Sequence, residues 1–374
     1  MSVYDYLVIG AGIGGATAAY GLSRHGRVLM IEMESRPGYH TTGRSAAFFS
    51  ETYGNGAIRV LTLVSRNFLE APPDGFSMVP LLTDRGVLQI GRPDQREAVE
   101  AKAREVEPLV SSVRRVTAAE IDGLVPLMNE GYADCGVFEP NAKDIDVGAV
   151  HQGFLKTARH RGAQMVTDAE VVGLHRENGL WTVKTLNGDL QGRVVVNAAG
   201  AWGDRVAALA GVAPVGLQPM RRTVIIVPCD YPPGLMDWPL VMDVDEQFYF
   251  KPESGRILIS PCDETPMPPQ DVQPDELDIA RAIDRVQRAA RIPVQSLLNK
   301  WAGLRTFAPD RTPVVGYDDQ VEDFFWFVGQ GGWGIQTSPG MSRLAEALIL
   351  RKDVPQDMVE LGLSADMVSP KRFR

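Results

Sequence analysis

The stretch "YDYLVIGAGIGGATAAYGLSRHGRVLMIE", Tyr4 to Glu32, constrains the chain more than any other. A short apolar run passes into an Ala-rich stretch of helical period and then into a second apolar run ending at Glu32, the pattern of a βαβ unit. Gly10, Gly12 and Gly15 form G-x-G-x-x-G at the strand-to-helix turn, and Glu32 follows Gly10 by 22 residues, where a dinucleotide fold carries its ribose-binding acid. Gly10 permits the tight turn, Gly12 lets a pyrophosphate approach the backbone, and Gly15 lets the helix close on the strand. Amides at the helix start then face the phosphates, while the Glu32 carboxylate accepts from ribose hydroxyls and repels a 2′-phosphate. Glycine-rich turns are common, so the motif alone is weak. Strand, helix, second strand and acid together point to dinucleotide binding.

The 374 residues suggest about two globular units at roughly 150 residues each. A formal net charge of -9 argues against a nucleic-acid surface and for a small-molecule partner. Cys135, Cys229 and Cys262 have no CxxC spacing and no histidine cluster, so neither a disulfide framework nor a metal site is expected, and a reducing cytoplasm fits. The first apolar run follows Asp5 rather than a basic region and is broken by five glycines from Gly10 to Gly21, which reads poorly as a signal peptide. Nothing else approaches the ~20 apolar residues of a membrane span. Peripheral contact with a membrane stays open.

Beyond Glu32 the chain leaves regular strand and helix alternation. Helical "QREAVEAKAREVEPLV" is followed by strands and by Pro-rich connections, "PCDYPPGLMDWP" and "PCDETPMPPQDVQP", which read as loops of a second module. The strand "GRVVVNAAGAW" and helix "GDRVAALAGV" return to the first. The expected architecture is α/β (α+β overall): a Rossmann-like dinucleotide domain of residues 1–45, 146–218 and 300–374, interleaved with a substrate domain of 46–145 and 219–299. A late segment, "GQGGWGIQTSPG", precedes the apolar-periodic helix "MSRLAEALIL" and reads as a helix start needing close backbone approach.

Taken in order, the N-terminal motif, "GYHTTGRSAA", "NAAGAW" and "GQGGWGIQTSPG" resemble the glycine oxidase and D-amino-acid oxidase family of flavoproteins over essentially the whole chain. "FYFKP", "WAGLRTFAPD" and "GGWGIQTS" bring the likeness closer to bacterial FAD-dependent D-amino-acid dehydrogenases of the D-arginine dehydrogenase type. The resemblance implies FAD, a substrate domain built on a mainly antiparallel sheet with helices, hydride transfer from the α-carbon of a D-amino acid to flavin N5, and an imino acid that hydrolyses to 2-oxo acid and ammonia. It implies Gly10, Gly12 and Gly15 at the pyrophosphate, Glu32 at the ribose, and Thr42, Arg44, Ser45 and Ala47 along FAD. Ile13, Val172, Gly200, Gly331, Gly332, Gly334, Ile335, Gln336 and Thr337 complete the cofactor set. Arg222 and Arg305 would hold the substrate carboxylate with Tyr53 and Tyr249, and the Gly332 carbonyl would receive the amine. Gln336 would line the flavin-facing pocket. None of the cysteines falls in the late segment where relatives attach flavin through sulfur, so FAD is expected to be noncovalent. In the same reading the start of the late helix stabilises the anionic reduced flavin.

The residues carry readings of their own. Arg305 sits among apolar neighbours on an expected strand, so a buried anion must meet it, either a substrate carboxylate or a structural acid. Arg221 and Arg222 point to opposite faces of a strand, so only one enters a pocket. Tyr249 alternates with Phe248 and Phe250, placing tyrosine on one face, either toward a ligand or as a satisfied core residue. Tyr53, in "FFSETYGNG", is either a lid residue or an ordinary surface tyrosine. His25, His40, His151, His160 and His175 are scattered and suggest no catalytic base, which flavin chemistry does not require.

Two departures bear on specificity. The closest pattern has Glu where this chain has Val87 and His where it has Phe48, which makes the distal pocket more apolar. A cationic side chain there would be desolvated without a partner, so neutral, apolar or aromatic D-amino acids are the expected substrates unless Glu51 or Asp84 turns inward. The alternatives are an oxygen-using FAD oxidase of glycine, sarcosine or other N-methyl amino acids, and a flavin-binding protein without turnover. The electron acceptor, whether quinone, dye-like or oxygen, is not legible.

Overall fold

In the computed structural model, residues 3–229 and 237–374 are described. Most of the Pro-rich connection "PCDYPPGLMDWP" therefore lies outside the described residues. The fold is α/β, as the sequence implied, and rests on two large sheets.

The first has eight strands. Val3–Ile9 lies between Val28–Ile31 and Gly188–Asn197, parallel to both. Gly188–Asn197 divides its pairing: its first half forms a hairpin with Leu180–Thr185, and its end runs parallel to Phe324–Val328. Every residue of Val28–Ile31 and of Phe324–Val328 is buried, the mark of strands covered on both faces. One cover is the Ile13–Leu22 helix, with eight buried residues and apolar character all round. It packs against helices Val147–His160 and Ser338–Ile349.

The second sheet has nine strands and is mainly antiparallel. Leu240–Asp243 alongside Val87–Gly91 is a parallel exception. Helix Glu276–Ala289 covers one face, laying buried Ile279, Ala282, Val286 and Ala289 against Ile225, Ile257 and Ile259. A three-stranded sheet joins Phe48–Phe49, Lys143–Ile145 and Leu82–Asp84. The boundary expected at residue 300 assigned strand Asn299–Phe307 to the dinucleotide domain. The strand pairs over its whole length with Gln218–Val227, so its hydrogen bonds place it in the second sheet. Among the described residues, no helix is long and apolar enough to cross a membrane.

Candidate active site

A cavity of about 550 Å³ opens at the C-terminal ends of the parallel strands and runs between the two large sheets, the usual place for a ligand in an open α/β sheet. Its first wall is the G-x-G-x-x-G turn. Gly10 has φ +98°, and a Cβ there would lie 2.6 Å from the Ala198 carbonyl oxygen. A Cβ on Gly15 would lie 1.8 Å from the Gly10 carbonyl oxygen. Both positions therefore exclude a side chain. Gly12 caps the helix without a side-chain bond, and the Ile13 N–H donates to Thr42 Oγ1 at 2.9 Å. Glu32 is buried and fixed by the amides of Ala11 at 2.7 Å and Glu34 at 3.0 Å. Burial raises its pKa, and those two amides work in the opposite direction. Gly10, Gly12, Ile13, Glu32, Thr42, Ser45, Ala47, Val172 and Gly200 all line the cavity. Gly15 stands behind them, in contact with the turn.

The second wall is built on the paired strands Gln218–Val227 and Asn299–Phe307. Arg305 stands opposite Met220, two residues from Arg222, so the period of two puts both guanidiniums on one face. Arg221 goes to the other face, bonding Asp278 and Asp263. The side chains of Arg222 and Arg305 are only 10% and 11% exposed. Arg305 Nη2 donates to Tyr53 Oη at 2.8 Å, and Arg222 Nε donates to the Asp263 carbonyl oxygen at 3.0 Å. Burial opposes the charge on Arg222, yet its pKa is raised: Cys262, Tyr53 and Tyr249 favour the charge only once ionised at high pH, and at neutral pH the Glu264 carboxylate is the anion beside it. Tyr249 is buried on the cavity side of its strand, while Phe248 and Phe250 stack together on the core side. Burial pushes the Tyr249 phenol up to about 12, although Arg222 pulls it down. Tyr53 stacks on Phe48 with ring centres 5.4 Å apart and meets Trp333 edge-on. Phe48, Tyr53, Arg222, Tyr249, Arg305, Gly331, Gly332, Gly334 and Ile335 line the cavity, with Val224 and Met242 as further apolar wall.

Several expected roles do not survive. Gln336 is not in the wall: it is buried, its amide donating to Thr62 Oγ1 at 2.9 Å and accepting from the Ser50 N–H at 3.3 Å. Thr337 is also behind the wall, its hydroxyl donating to the Trp333 carbonyl oxygen. Val87 packs behind Tyr249 and Met242 in an apolar cluster. Arg44 lines the cavity, but its guanidinium is committed to Asp271 and to the carbonyl oxygens of Val272 and Ala302. Glu51 pairs with Arg66, and Asp84 is exposed beside Lys143, so neither faces the cavity. The late helix begins at Ser338 behind the wall, and the Gly340 N–H donates to Ser65 Oγ at 2.9 Å. That first-turn amide is not offered to the cavity. The glycines before the helix do line the cavity, although the N–H of Gly331, which has φ +55°, is taken by the Thr306 carbonyl oxygen at 2.9 Å.

Sequence reasoning missed Glu264. Its Oε1 is shared by Arg311 at 2.8 Å, Arg222 at 3.3 Å and Arg305 at 3.5 Å. Burial would raise its pKa, but Arg311, Arg305 and Arg222 outweigh that and hold the carboxyl below its ordinary value. It lies in "PCDETPMPP", where only the loop character was readable. His151 was also missed: it is buried and hydrogen-bonded to the Ala11 carbonyl oxygen at 2.9 Å, under the glycine turn.

The residues fit an elongated dinucleotide. Val172 and Leu209, 48% and 39% exposed, sit on the first wall where an aromatic ring system would cover them. On the second wall the Thr306 hydroxyl is buried with no hydrogen-bond partner among the described residues. Residues 5–348 match the family described as FAD dependent oxidoreductase, DAO. The chain belongs to that family. It is an FAD-dependent oxidoreductase, and FAD is its cofactor. Mitochondrial dimethylglycine dehydrogenase of Homo sapiens is 26% identical over 261 residues, 65% of this chain; the alignment spans only 30% of that relative's length. Glycine oxidase from Geobacillus kaustophilus superposes with a TM-score of 0.85 at 20% identity, over 98% of this chain and 99% of its own. L-alpha-glycerophosphate oxidase from Mycoplasma pneumoniae, solved with FAD bound, gives 0.84 at 17% identity, over 94% and 95%. Likeness at these identities establishes the fold.

Proposed function

We propose that this FAD-dependent oxidoreductase oxidises the α C–N bond of a D-amino acid with a neutral, apolar or aromatic side chain. The observation that carries the reading is the pair of nearly buried arginines, Arg222 and Arg305, on one face of the second wall with Tyr53 and Tyr249 beside them. Two forked cations in a dry site match a carboxylate bidentately. The Tyr249 phenol stays neutral and can donate to the same carboxylate. The Gly332 carbonyl oxygen is assigned to the substrate amine, and Phe48, Val224 and Met242 exclude water from the side chain. Among the described residues no acid from the second sheet lines the cavity, and Glu264 is turned onto the arginines, so a cationic side chain would be left unpaired. Bound FAD supplies the acceptor for the hydride of the substrate α C–H. The protein contributes orientation and desolvation.

In this reading Gly10, Gly12, Ile13, Glu32 and Thr42 hold the dinucleotide, and Val172 and Leu209 cover its far end. The cofactor is read as noncovalent: no cysteine lines the cavity among the described residues, and the His40 ring that does is bonded to Glu34. The domain division stands as part of the reading, with the last dinucleotide segment starting after Phe307. The test is anaerobic bleaching of the flavin by a panel of D-Met, D-Phe, D-Leu, D-Arg, their L-forms, glycine and sarcosine. D-Met, D-Phe or D-Leu is expected to bleach fastest. Fastest bleaching by D-Arg, an L-form or sarcosine overturns the specificity, and reoxidation of the reduced protein in air separates oxidase from dehydrogenase.

A further inference from the structure

The carboxylate of Glu139 has no part in the reading so far. It ends strand Cys135–Glu139, stands opposite Val87 and is 4% exposed. Its Oε1 accepts from the Glu51 N–H at 2.9 Å, and its Oε2 accepts from Ser50 Oγ and Thr52 Oγ1, both at 2.7 Å. Three donors from three consecutive residues converge on one buried acid. Gln336 takes the Ser50 N–H from the other side.

Burial raises the pKa of Glu139, and the neighbouring charge of Glu51, itself paired with Arg66, pushes the same way, while the hydrogen bonds from Thr52, Ser50 and Glu51 lower it. A group whose folded pKa is raised binds its proton more tightly in the folded state, so its stability contribution is present at low pH and is lost as pH rises through the folded pKa. Ionising the acid therefore costs more in the folded chain than in the unfolded one. It holds the segment whose ends are Phe48 and Tyr53. Both line the cavity, both rings stack on each other, and the Tyr53 hydroxyl accepts from Arg305.

We propose that Glu139 is a positioning residue for substrate binding: by clamping Ser50, Glu51 and Thr52 it sets Phe48 and Tyr53 against the substrate. The inference rests on the proposed function, in which those two side chains wall the substrate. Without the clamp the segment must be ordered as ligand binds. That cost falls equally on the bound ground state and the transition state, so it raises KM and spares kcat.

Glu139→Leu removes the acceptor at similar volume. It is expected to raise KM about tenfold or more, with kcat within about threefold and FAD retained. Glu139→Gln keeps an acceptor for the Glu51 N–H and a polar group for the two hydroxyls, and restores most of the loss. Should Glu139→Leu fail to fold, the double variant Ser50→Ala/Thr52→Val removes both hydroxyl donors and is expected to raise KM in the same direction. Amide hydrogen exchange at Glu51, followed without substrate, should be faster in the leucine and double variants. A purely structural role would lower thermal stability or kcat and leave KM and Glu51 exchange unchanged, and that result overturns the proposal. If no amino acid bleaches the wild-type flavin, the functional reading fails while Glu51 exchange still decides the clamp. If the wild type turns over and the variants match it, this inference alone fails.

Discussion

The first wall of the cavity is mostly backbone: a glycine turn, amide groups and one acid that the chain fixes within its first 34 residues. The second wall is mostly side chains, with Phe48, Tyr53, Arg222, Tyr249 and Arg305 drawn from four separated parts of the sequence. A phosphate needs close amides at fixed spacing, which only contiguous sequence supplies. A substrate needs particular groups at particular angles, which strand register can bring together from anywhere.

The comparison can be broken at several depths. Gly15→Val is the most severe change, since its Cβ would collide with the Gly10 carbonyl oxygen 1.8 Å away. It is expected to give colourless or insoluble protein, read by flavin absorbance per chain, and a yellow, active variant would mean that the turn is not rigid. Arg305→Ala should leave the flavin in place and lower kcat/KM about a hundredfold, chiefly through KM, as loss of one member of a buried charged contact costs about 2–5 kcal/mol. Unchanged substrate kinetics would remove Arg305 from the site. Tyr249→Phe should lower kcat/KM about tenfold without moving the alkaline limb of the pH profile, because the phenol is pushed up to about 12 and stays protonated throughout the working range. The same shift makes the Tyr249 contribution to stability complete below pH 10.0 and lost as pH rises towards about 12, which thermal melts across that window would show. Val172→Ala is the mildest, expected to weaken FAD by about 1–2 kcal/mol through lost apolar cover, measured by flavin titration of the apoprotein.

What the sequence made legible follows the same division. The placement of Gly10, Gly12, Gly15 and Glu32 could be read because it depends on spacing along one βαβ unit. Arg305 could be singled out as an arginine among apolar neighbours, yet its partnership with Arg222 depends on a strand register that places it opposite Met220. Tyr249 was readable because Phe248 and Phe250 mark the other face of its strand. Gln336 was misjudged because its side chain is satisfied by a partner remote in sequence, Thr62, and for the same reason the commitment of the cavity-lining Arg44 to Asp271 was not legible. Glu264 was invisible because a Pro-rich stretch shows no period that would aim a carboxylate.

The bridge between Thr306 and Gly331 ties the strand that carries Arg305 to the glycine loop before the late helix. Thr306 adjoins the arginine assigned to the substrate, Gly331 belongs to the loop on the cofactor path, and a Cβ on Gly332 would meet the Arg305 guanidinium. Under the proposed function the occupancies of the two halves are expected to be linked through these contacts: the apoprotein should bind a carboxylate inhibitor more weakly than the holoprotein. By reciprocity, the same inhibitor should tighten FAD by the same factor.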